Sequence, residues 1–526
     1  MIKNTARLFW ISIGCVVLLQ GCSRQSYDVV IKGGTIVDGS GAPGYRSDIG
    51  IKEGKIAAVT MLKKFRALEE IDAGGKFVVP GFIDMHTHCE NISSDKLKTA
   101  LNYLTQGVTT VVTGNCGSGT HRVAKYFRKM KAQGIGLNVV HLVGHGTVRG
   151  VVLKGDDREP DAEELARMKS LVRRALEEGA AGLSTGLFYA PGSYARTDEV
   201  IALCGVVREL GGFYATHIRD ESDYSIGLEA AIAEAVEIGE RSAVPVQISH
   251  IKALGKPVWG KAEAVCRIID DARERGVKIY ADQYPYCASS TSLAAAVVPR
   301  WVQAGGKMCE RLRDQRLLPR IRKEMAENIE RRGGAETLVI SAFPRNADWE
   351  GRSLEEISTT LGKSETDAAV ELIFMGDPGV VSFNQTEADV AYFLRQPWVM
   401  TGSDGQVLVF GEGKPHPRNY GTFPRKIRNY VFLKKVISME QAVRSSSGLP
   451  AEMLGLEDRG LLKESYAADI VVFDPERIGD KATFRDPHQY SEGIDYVLID
   501  GKLVISDGEF TGVLAGKPLA PRGRRR

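Results

Sequence analysis

A short apolar strand that runs directly into two histidines constrains the fold of this chain more than any other segment. Residues 80–90 read PGFIDMHTHCE, in which Phe82 and Ile83 favour a buried strand and the Pro-Gly pair marks its start. Alternate side chains of an extended segment point to the same side, so His86 and His88 leave the strand on one face. Neutral imidazole is the commonest protein ligand for divalent metals, and the pair therefore predicts a metal site at the strand end.

Strand–helix alternation continues through the middle of the chain. Eight strands, each followed by helical or long connecting sequence, are predicted near residues 82–85, 108–112, 137–140, 182–185, 213–217, 244–250, 277–282 and 398–400. This pattern predicts an α/β fold, a TIM-like (β/α)8 barrel over residues 81–454. A doubly wound sheet is the alternative, but no strand leads into a Gly-x-Gly-x-x-Gly turn. The interval between strands seven and eight is far longer than one helix needs, so we expect an inserted subdomain at about 287–397.

Both ends of the chain carry short apolar runs separated by turn residues. Residues 469–505 include an Asp-Gly pair between two such runs, which is a strong hairpin signal. Because β segments at opposite ends of a chain commonly meet, residues 27–80 and 455–515 are predicted to form one small β-sandwich domain. Residues 516–526 are predicted to be a basic tail, and its last five residues, four of them arginines, are expected to be solvated.

Residues 1–21 are predicted to be a lipoprotein signal peptide. Two basic residues precede an apolar run over residues 9–19, which is too short for an ordinary membrane span. The segment LQGC that ends at Cys22 resembles a bacterial lipobox, which implies cleavage before Cys22 and attachment of lipid to it. Ser23 resembles the sorting signal for the outer membrane. We therefore expect an envelope lipoprotein that faces the periplasm and touches the membrane only through Cys22; a plain secreted protein is the alternative.

Composition excludes one class of partner and leaves disulfide bonds open. A net charge of only +3 over 526 residues gives no electrostatic footprint for nucleic acid. Six cysteines follow Cys22, but they are widely spread and lack the spacing of a disulfide framework. An oxidising compartment would still permit a bridge among them.

Side chains that bind metals occur at the ends of five predicted barrel strands. They are His86 and His88 after strand one, Cys116 after strand two, His217 after strand five, His250 after strand six and Asp404 after strand eight. The strand ends of a (β/α)8 barrel surround one mouth, which is where active sites lie. Imidazole, thiolate and carboxylate are ligands of the zinc type, so the sequence predicts a zinc site at this mouth.

The sequence resembles the D-aminoacylase (N-acyl-D-amino-acid deacylase) family of the amidohydrolase superfamily over about residues 27–505. Besides the ligand spacing, the resemblance rests on the segments GVTTVVTGNCG (107–117), GLSTGLFY (182–189), THIRDE (216–221), ISH (248–250), YPY (284–286), SDG (403–405) and HPRNYGTFP (416–424). It implies zinc-dependent hydrolysis of a small-molecule N-acyl-D-amino acid to a carboxylic acid and a free D-amino acid.

The resemblance also implies where zinc is held. The tight zinc is expected on Cys116, His217 and His250. A weaker second site is expected near His86, His88 and Asp404. Many amidohydrolases carry a carboxylated lysine at strand four, whereas this chain has Ser184 and Thr185 there, and Cys116 resembles the replacement bridge.

Four residues are predicted to act on the substrate. Asp404, beside the metal and the attacking water, is expected to accept the water's proton and later deliver it to the leaving amine. Arg418 presents a planar fork that suits bidentate binding of the substrate carboxylate, and the resemblance supports that role. Tyr284 and Ser290, near the end of strand seven, are predicted to add hydroxyl donors.

Two other functions stay open at the level of sequence. One is hydrolysis of a cyclic amide or a D-dipeptide on the same barrel, which Cys116 and Arg418 disfavour. The other is a catalytically silent envelope lipoprotein that binds a peptide. Retention of all six metal-binding residues argues against the second alternative, because a binding module has no need of Asp404.

Overall fold

The computed structural model describes residues 25–521. The predicted signal peptide and Cys22 lie outside the described residues, as does the arginine-rich end at 522–526. No helix among residues 25–521 is long and apolar enough to cross a bilayer. The six cysteines of this region are all free thiols.

The two ends of the chain build one β domain. The N-terminal strands are β1 (Gln25–Ile36), β2 (Tyr45–Lys52), β3 (Lys55–Val59), β4 (Phe65–Asp72) and β5 (Phe77–Pro80). The C-terminal strands are β17 (Ile470–Phe473), β18 (Ile494–Ile499), β19 (Lys502–Ser506) and β20 (Glu509–Phe510). The pairing order is β20-β19-β18-β17-β5-β1-β2-β3, with β4 beside β1. The long β1 pairs with strands on both of its edges, so hydrogen bonds join the layers of the predicted sandwich into one continuous sheet.

Apolar side chains from both ends hold this domain together and attach it to the barrel. Val29 and Ile49 from the N-terminal strands share a buried core with Val472 and Leu498 from the C-terminal strands. A second core includes other strand residues of this domain together with barrel residues such as Val111. Because burial of apolar surface is the main favourable term in folding, the shared core explains why distant segments form one unit.

Eight parallel strands form the barrel. They are β6 (Phe82–Asp84), β7 (Val108–Thr113), β8 (Asn138–Gly144), β9 (Gly182–Gly186), β10 (Phe213–His217), β11 (Val246–Ile248), β12 (Ile279–Gln283) and β16 (Val399–Thr401). Each strand pairs with the next one along the chain. The Met85 amide donates to the Thr401 carbonyl at 3.1 Å and the Asp404 amide to the His86 carbonyl at 2.7 Å, which joins the last strand to the first. The predicted (β/α)8 barrel is confirmed.

Helices follow the barrel strands and cover them. Before the insertion they are α1 (Leu101–Leu104), α2 (Val123–Gln133), α3 (His145–Leu153), α4 (Ala162–Glu177), α5 (Thr197–Glu209), α6 (Leu228–Ser242) and α7 (Ala262–Glu274). After it they are α14 (Glu387–Leu394), α15 (Arg418–Arg425), α16 (Met439–Ser446) and α17 (Gly448–Leu454), with a π-helix at Lys426–Leu433.

Helix α4 shows how local sequence determines a helix: Asp161 caps its first turn in a capping box with Glu164. Its apolar stripe, which includes Met168 and Val172, packs into the barrel core.

The insertion between β12 and β16 is a subdomain with its own core. Its strands are β13 (Ser289–Ser292), β14 (Leu338–Ala342) and β15 (Gly379–Ser382), which pair antiparallel in the order β13-β15-β14. Its helices are α8 (Leu293–Val297), α9 (Arg300–Gln303), α10 (Met308–Arg311), α11 (Leu318–Arg331), α12 (Leu354–Leu361) and α13 (Glu365–Gly376). Leu293, Ile321 and Val380 belong to its buried cluster. The subdomain therefore packs around residues of its own.

Residues 516–520 pair with the barrel and are not part of a tail, so the predicted start of the basic tail at residue 516 is wrong. The Gly516 amide donates to the Ile135 carbonyl at 2.9 Å, and Val139 exchanges backbone hydrogen bonds with Lys517 and Leu519 at 3.0 and 2.8 Å. The segment thus pairs with the backbone at the start of β8. Composition suggested a tail, but paired backbone groups fix these residues in place.

Candidate metal centre and active site

Six side chains predicted as metal ligands meet at the mouth of the barrel. Each lies at or just after the carboxyl end of its strand: His86 and His88 after β6, Cys116 after β7, His217 at the end of β10, His250 after β11 and Asp404 after β16. Their ligand atoms fall into three overlapping groups in which all atoms lie within 4.8 Å of one another. The groups are His86, His88 and Cys116; Cys116, His217 and His250; and His86, His250 and Asp404.

The spacing of Cys116, His217 and His250 fits a zinc ion. The Cys116 Sγ lies 3.7 Å from the His217 Nδ1 and 3.7 Å from the His250 Nε2. A tetrahedral zinc with Zn–S of about 2.3 Å and Zn–N of about 2.0 Å separates its sulfur and nitrogen ligands by roughly 3.5 Å. One ion can therefore bind all three atoms with little movement of the side chains.

Asp404, His86 and His88 lie together at the position expected for the second, weaker metal site. The Asp404 Oδ1 lies 3.3 Å from the His88 Nε2 and 3.6 Å from the His86 Nε2. The His86 Nε2 also lies 3.4 Å from the Cys116 Sγ, so this thiol stands between the two groups. That position is the bridging one that the sequence analysis assigned to Cys116.

Backbone conformation aims three of these side chains into the mouth. Cys116, His250 and Asp404 have φ values of 51°, 37° and 52°, in the left-handed region that residues with a Cβ seldom adopt. Such conformations cost of order 1–3 kcal/mol each and persist where the surrounding structure enforces them. Ser184, at the strand-four position, accepts a hydrogen bond from the Gly117 amide at 3.1 Å and donates one to the Gly114 carbonyl, which fixes the Cys116 loop.

Glu221 joins the two histidines from behind, and the sequence analysis gave it no role. Its Oε1 lies 3.1 Å from the His250 Nδ1, and its Oε2 lies 3.6 Å from the His217 Nε2. Lys252 is ion-paired with Glu221 and lies 2.8 Å from the His250 Nδ1. A carboxylate behind a ligating histidine fixes the ring and raises its basicity. Glu221 follows His217 by four residues, but only the fold brings it to His250.

Electrostatics keep the central acid and thiol ionised. Burial alone would raise the pKa of Asp404, but Arg418, His250 and His88 outweigh it and hold that pKa well below its usual value. Burial would likewise raise the pKa of the Cys116 thiol, yet the surrounding imidazoles, His86 foremost, lower it well below its usual value. Thiolate is the form of cysteine that binds metal.

Five of the six ligands, all except the fully buried His86, line one cavity of about 420 Å³. The barrel contributes Tyr189 and Lys252, and the inserted subdomain contributes residues 289–292, Ser341 and Gly379. Ser290 thus lies where the sequence predicted it. Tyr189, which the sequence analysis quoted only as part of a segment, places its ring 4.7 Å from that of His217.

Arg418 and Tyr284 are neighbours at this cavity. The Arg418 guanidinium carbon lies 4.9 Å from the Tyr284 ring centroid, and its Nη1 lies 2.9 Å from the Asp404 Oδ2. Arg418 lines the cavity, whereas the fully buried Tyr284 stands behind it and receives a hydrogen bond from Gln385 at 3.4 Å. Tyr284 therefore supports Arg418 and is not itself a surface of the cavity.

Comparison with known proteins agrees with this geometry. The Amidohydrolase family matches residues 69–505, and the chain belongs to that family. A D-aminoacylase from Alcaligenes xylosoxydans xylosoxydans is 36% identical, with 94% of this chain and 98% of the relative aligned. The solved N-acyl-D-glutamate deacylase of Bordetella bronchiseptica, complexed with zinc and a phosphonate inhibitor, is 33% identical with a TM-score of 0.81, covering 94% of this chain and all of that one. A solved D-aminoacylase with a binuclear metal centre is 34% identical, again with a TM-score of 0.81, covering 94% and 99%. Within the family, the chain thus stands in the D-aminoacylase group.

Proposed function

We propose that this protein hydrolyses the amide bond of N-acyl-D-amino acids and releases a carboxylic acid and a free D-amino acid. The observation that carries the proposal is the convergence of Cys116, His217 and His250 beside the ionised Asp404 in one cavity. These three residues would hold the tight zinc, and His86, His88 and Asp404 would hold a weaker one. Relatives that act on N-acyl-D-amino acids support the same assignment.

Zinc, when bound, lowers the pKa of water and polarises a carbonyl oxygen. Asp404 then accepts the proton of the attacking water through the carboxylate that faces His86 and His88. The same carboxyl returns the proton to the leaving nitrogen. Glu221 accepts a hydrogen bond from the His250 Nδ1 and so holds the ring in the orientation that presents its Nε2 to the metal, and Lys252 is ion-paired with Glu221.

Arg418 is the group proposed to bind the α-carboxylate of the substrate. Its side chain is buried at the cavity wall and its Nε has no hydrogen-bond partner. A guanidinium fork in this position, together with the Ser290 hydroxyl, gives a carboxylate a fixed orientation relative to the metal ligands. Two fixed points and a walled side-chain pocket select one enantiomer.

The cyclic-amide alternative is less well supported. The strand-four position that carries a bridging lysine in many amidohydrolases has Ser184 here, and its hydroxyl is used to hold the Cys116 loop. The binding-module alternative does not explain the ionised Asp404 beside three histidines, because a protein that only binds a peptide does not need this carboxylate.

A substrate panel tests the proposed activity. Purified zinc-loaded protein is incubated with N-acetyl-D-amino acids, their L enantiomers, dihydroorotate and a D-dipeptide, and release of free amine or carboxylate is followed. We expect cleavage of the D compounds and kcat/KM at least about 100-fold lower for the L compounds, because a chiral site loses one of its fixed contacts with the wrong enantiomer. Equal cleavage of both enantiomers, or faster cleavage of a cyclic amide, would contradict the proposal.

We also propose that the protein is a lipoprotein of the bacterial envelope that faces the periplasm, with lipid on Cys22 as its anchor in the outer membrane. The lipobox-like segment before Cys22 and the basic and apolar residues upstream support this address. The protein would then act on small molecules in the periplasm.

The Cys22→Ser variant tests the anchor. We expect the wild type in the membrane fraction and the variant either as uncleaved precursor or as soluble periplasmic protein, because serine cannot take the thioether-linked lipid. Cys15→Ala, in the apolar run of the same segment, is the matched control and should fractionate like the wild type. A Cys22→Ser protein that is processed and attached as firmly as the wild type contradicts the anchor.

A further inference from the structure

Arg332 brings a buried guanidinium to the wall of the active-site cavity. It follows α11 in the inserted subdomain, its side chain is 2% exposed, and it lines the cavity together with the metal ligands. Its Nε donates to the Ala296 carbonyl at 3.2 Å, but its buried Nη1 has no hydrogen-bond partner. A fork with five donors is thus left largely unused beside the cavity.

Among residues 25–521 the Arg332 guanidinium has no carboxylate partner within 4 Å, and its carbon lies 5.8 Å from the centroid of the Tyr224 ring. The two other cations of the cavity are both paired, Lys252 with Glu221 and Arg418 with Asp404. Arg332 makes no ion pair, and Arg300 adds a second guanidinium, stacked 3.5 Å from the ring of the cavity residue Phe188. The C-terminus of α11 offers only a partial negative charge. A buried cation without an anionic partner is costly, so this position suits an arginine that receives its anion from a ligand.

We propose that Arg332 binds the side-chain carboxylate of the substrate, so that the protein prefers N-acyl derivatives of acidic D-amino acids. This inference rests on the proposed function, and it names the side chain that function leaves open. With Arg418 assigned to the α-carboxylate, a second carboxylate in the same cavity needs a second cation. The hydroxyl of Ser341, which lines the same cavity, can add a hydrogen bond to that carboxylate.

The test compares two isosteric substrates, N-acetyl-D-glutamate and N-acetyl-D-glutamine, in the full-length protein loaded with zinc. We expect the wild type to favour the glutamate by about 100-fold in kcat/KM, the scale of a charge-assisted bidentate contact. In Arg332→Gln, the value for glutamate should fall by about the same factor, and the value for glutamine should change by no more than about threefold. Arg332→Lys should recover part of the loss, because it keeps the charge without the fork.

Arg316→Gln is the matched control. Arg316 lies in the same subdomain, but its side chain is 89% exposed and pairs with Asp314. This variant removes the same charge at the surface and should keep the wild-type ratio of glutamate to glutamine. Melting temperatures check folding; without substrate, Arg332→Gln should melt no lower than the wild type, because an unpaired buried charge is removed. A lower melting temperature with equal losses for both substrates would mark Arg332 as structural and overturn the proposal.

Two outcomes separate this inference from the proposed function. If the wild type cleaves the glutamine or a leucine derivative as fast as the glutamate, the acidic preference is wrong and the activity stands. If no N-acyl-D-amino acid is cleaved, the proposed activity is wrong. Calorimetric measurement of N-acetyl-D-glutamate binding then tests the proposed anion site at Arg332 separately. Binding that Arg332→Gln weakens at least about tenfold supports the anion site, and no binding by the wild type overturns it.

Discussion

Cys116→Ala protein should lose its tightly bound zinc and its amidase activity together. Cys116 supplies the only sulfur among the described ligands and lies between both metal groups, at 3.4 Å from His86 and 3.7 Å from His217 and His250. Removing an anionic ligand leaves two neutral imidazoles, which cannot balance the charge of the ion. We expect metal analysis of the purified variant to find less than about a tenth of the wild-type zinc, and turnover to fall to background.

A matched cysteine separates this effect from a general loss of thiols. Cys309 is exposed in the inserted subdomain, so Cys309→Ala should keep both zinc and activity. Circular dichroism and melting curves without metal would show whether the Cys116→Ala fold is intact. Full zinc content in Cys116→Ala would mean that the remaining histidines and Asp404 hold the ion by themselves, and the assignment of Cys116 would be wrong.

The barrel could be read from the sequence because its signals are local. Each strand is a short apolar run, each metal ligand follows directly after one, and all strand ends of a barrel converge at one mouth. His217 and His250 are 33 positions apart in the chain, yet the fold alone determines that both face Cys116. Once the barrel is predicted, the ligand set follows with it.

Residues whose role depends on tertiary packing could not be predicted from the sequence. Glu221 acts on His250 from another strand, and Arg332 reaches the cavity from a subdomain whose placement no local pattern specifies. Tyr284 was placed in the site from its position after β12, but its burial behind Arg418 depends on the packing around it. Residues 516–520 were misassigned for the same reason, because their composition does not predict that their backbone pairs with the start of β8.

The chemistry of Asp404 depends on a charge balance that the fold imposes. Its carboxylate faces the imidazoles of His86 and His88 through Oδ1 and the guanidinium of Arg418 through Oδ2. Burial would favour the neutral acid, but Arg418 foremost, then His250 and His88, hold the pKa well below its usual value, so the group is a carboxylate at neutral pH. A base that is ionised before the substrate arrives is ready to accept the proton of water.

Asp404→Asn should therefore lower kcat by about 10²–10⁴-fold, the range for a general acid–base group. Asparagine keeps the shape of the side chain but cannot accept and return a proton, so KM for an N-acetyl-D-amino acid should change far less than kcat. Asp95→Asn, whose side chain is 82% exposed, is the matched control and should turn over like the wild type. Zinc analysis completes the experiment: the variant should keep the ion on Cys116, His217 and His250, because none of these ligands is altered. Near-normal kcat with that zinc in place would show that another group is the base, whereas loss of the zinc would show that Asp404 is needed to hold the tight ion.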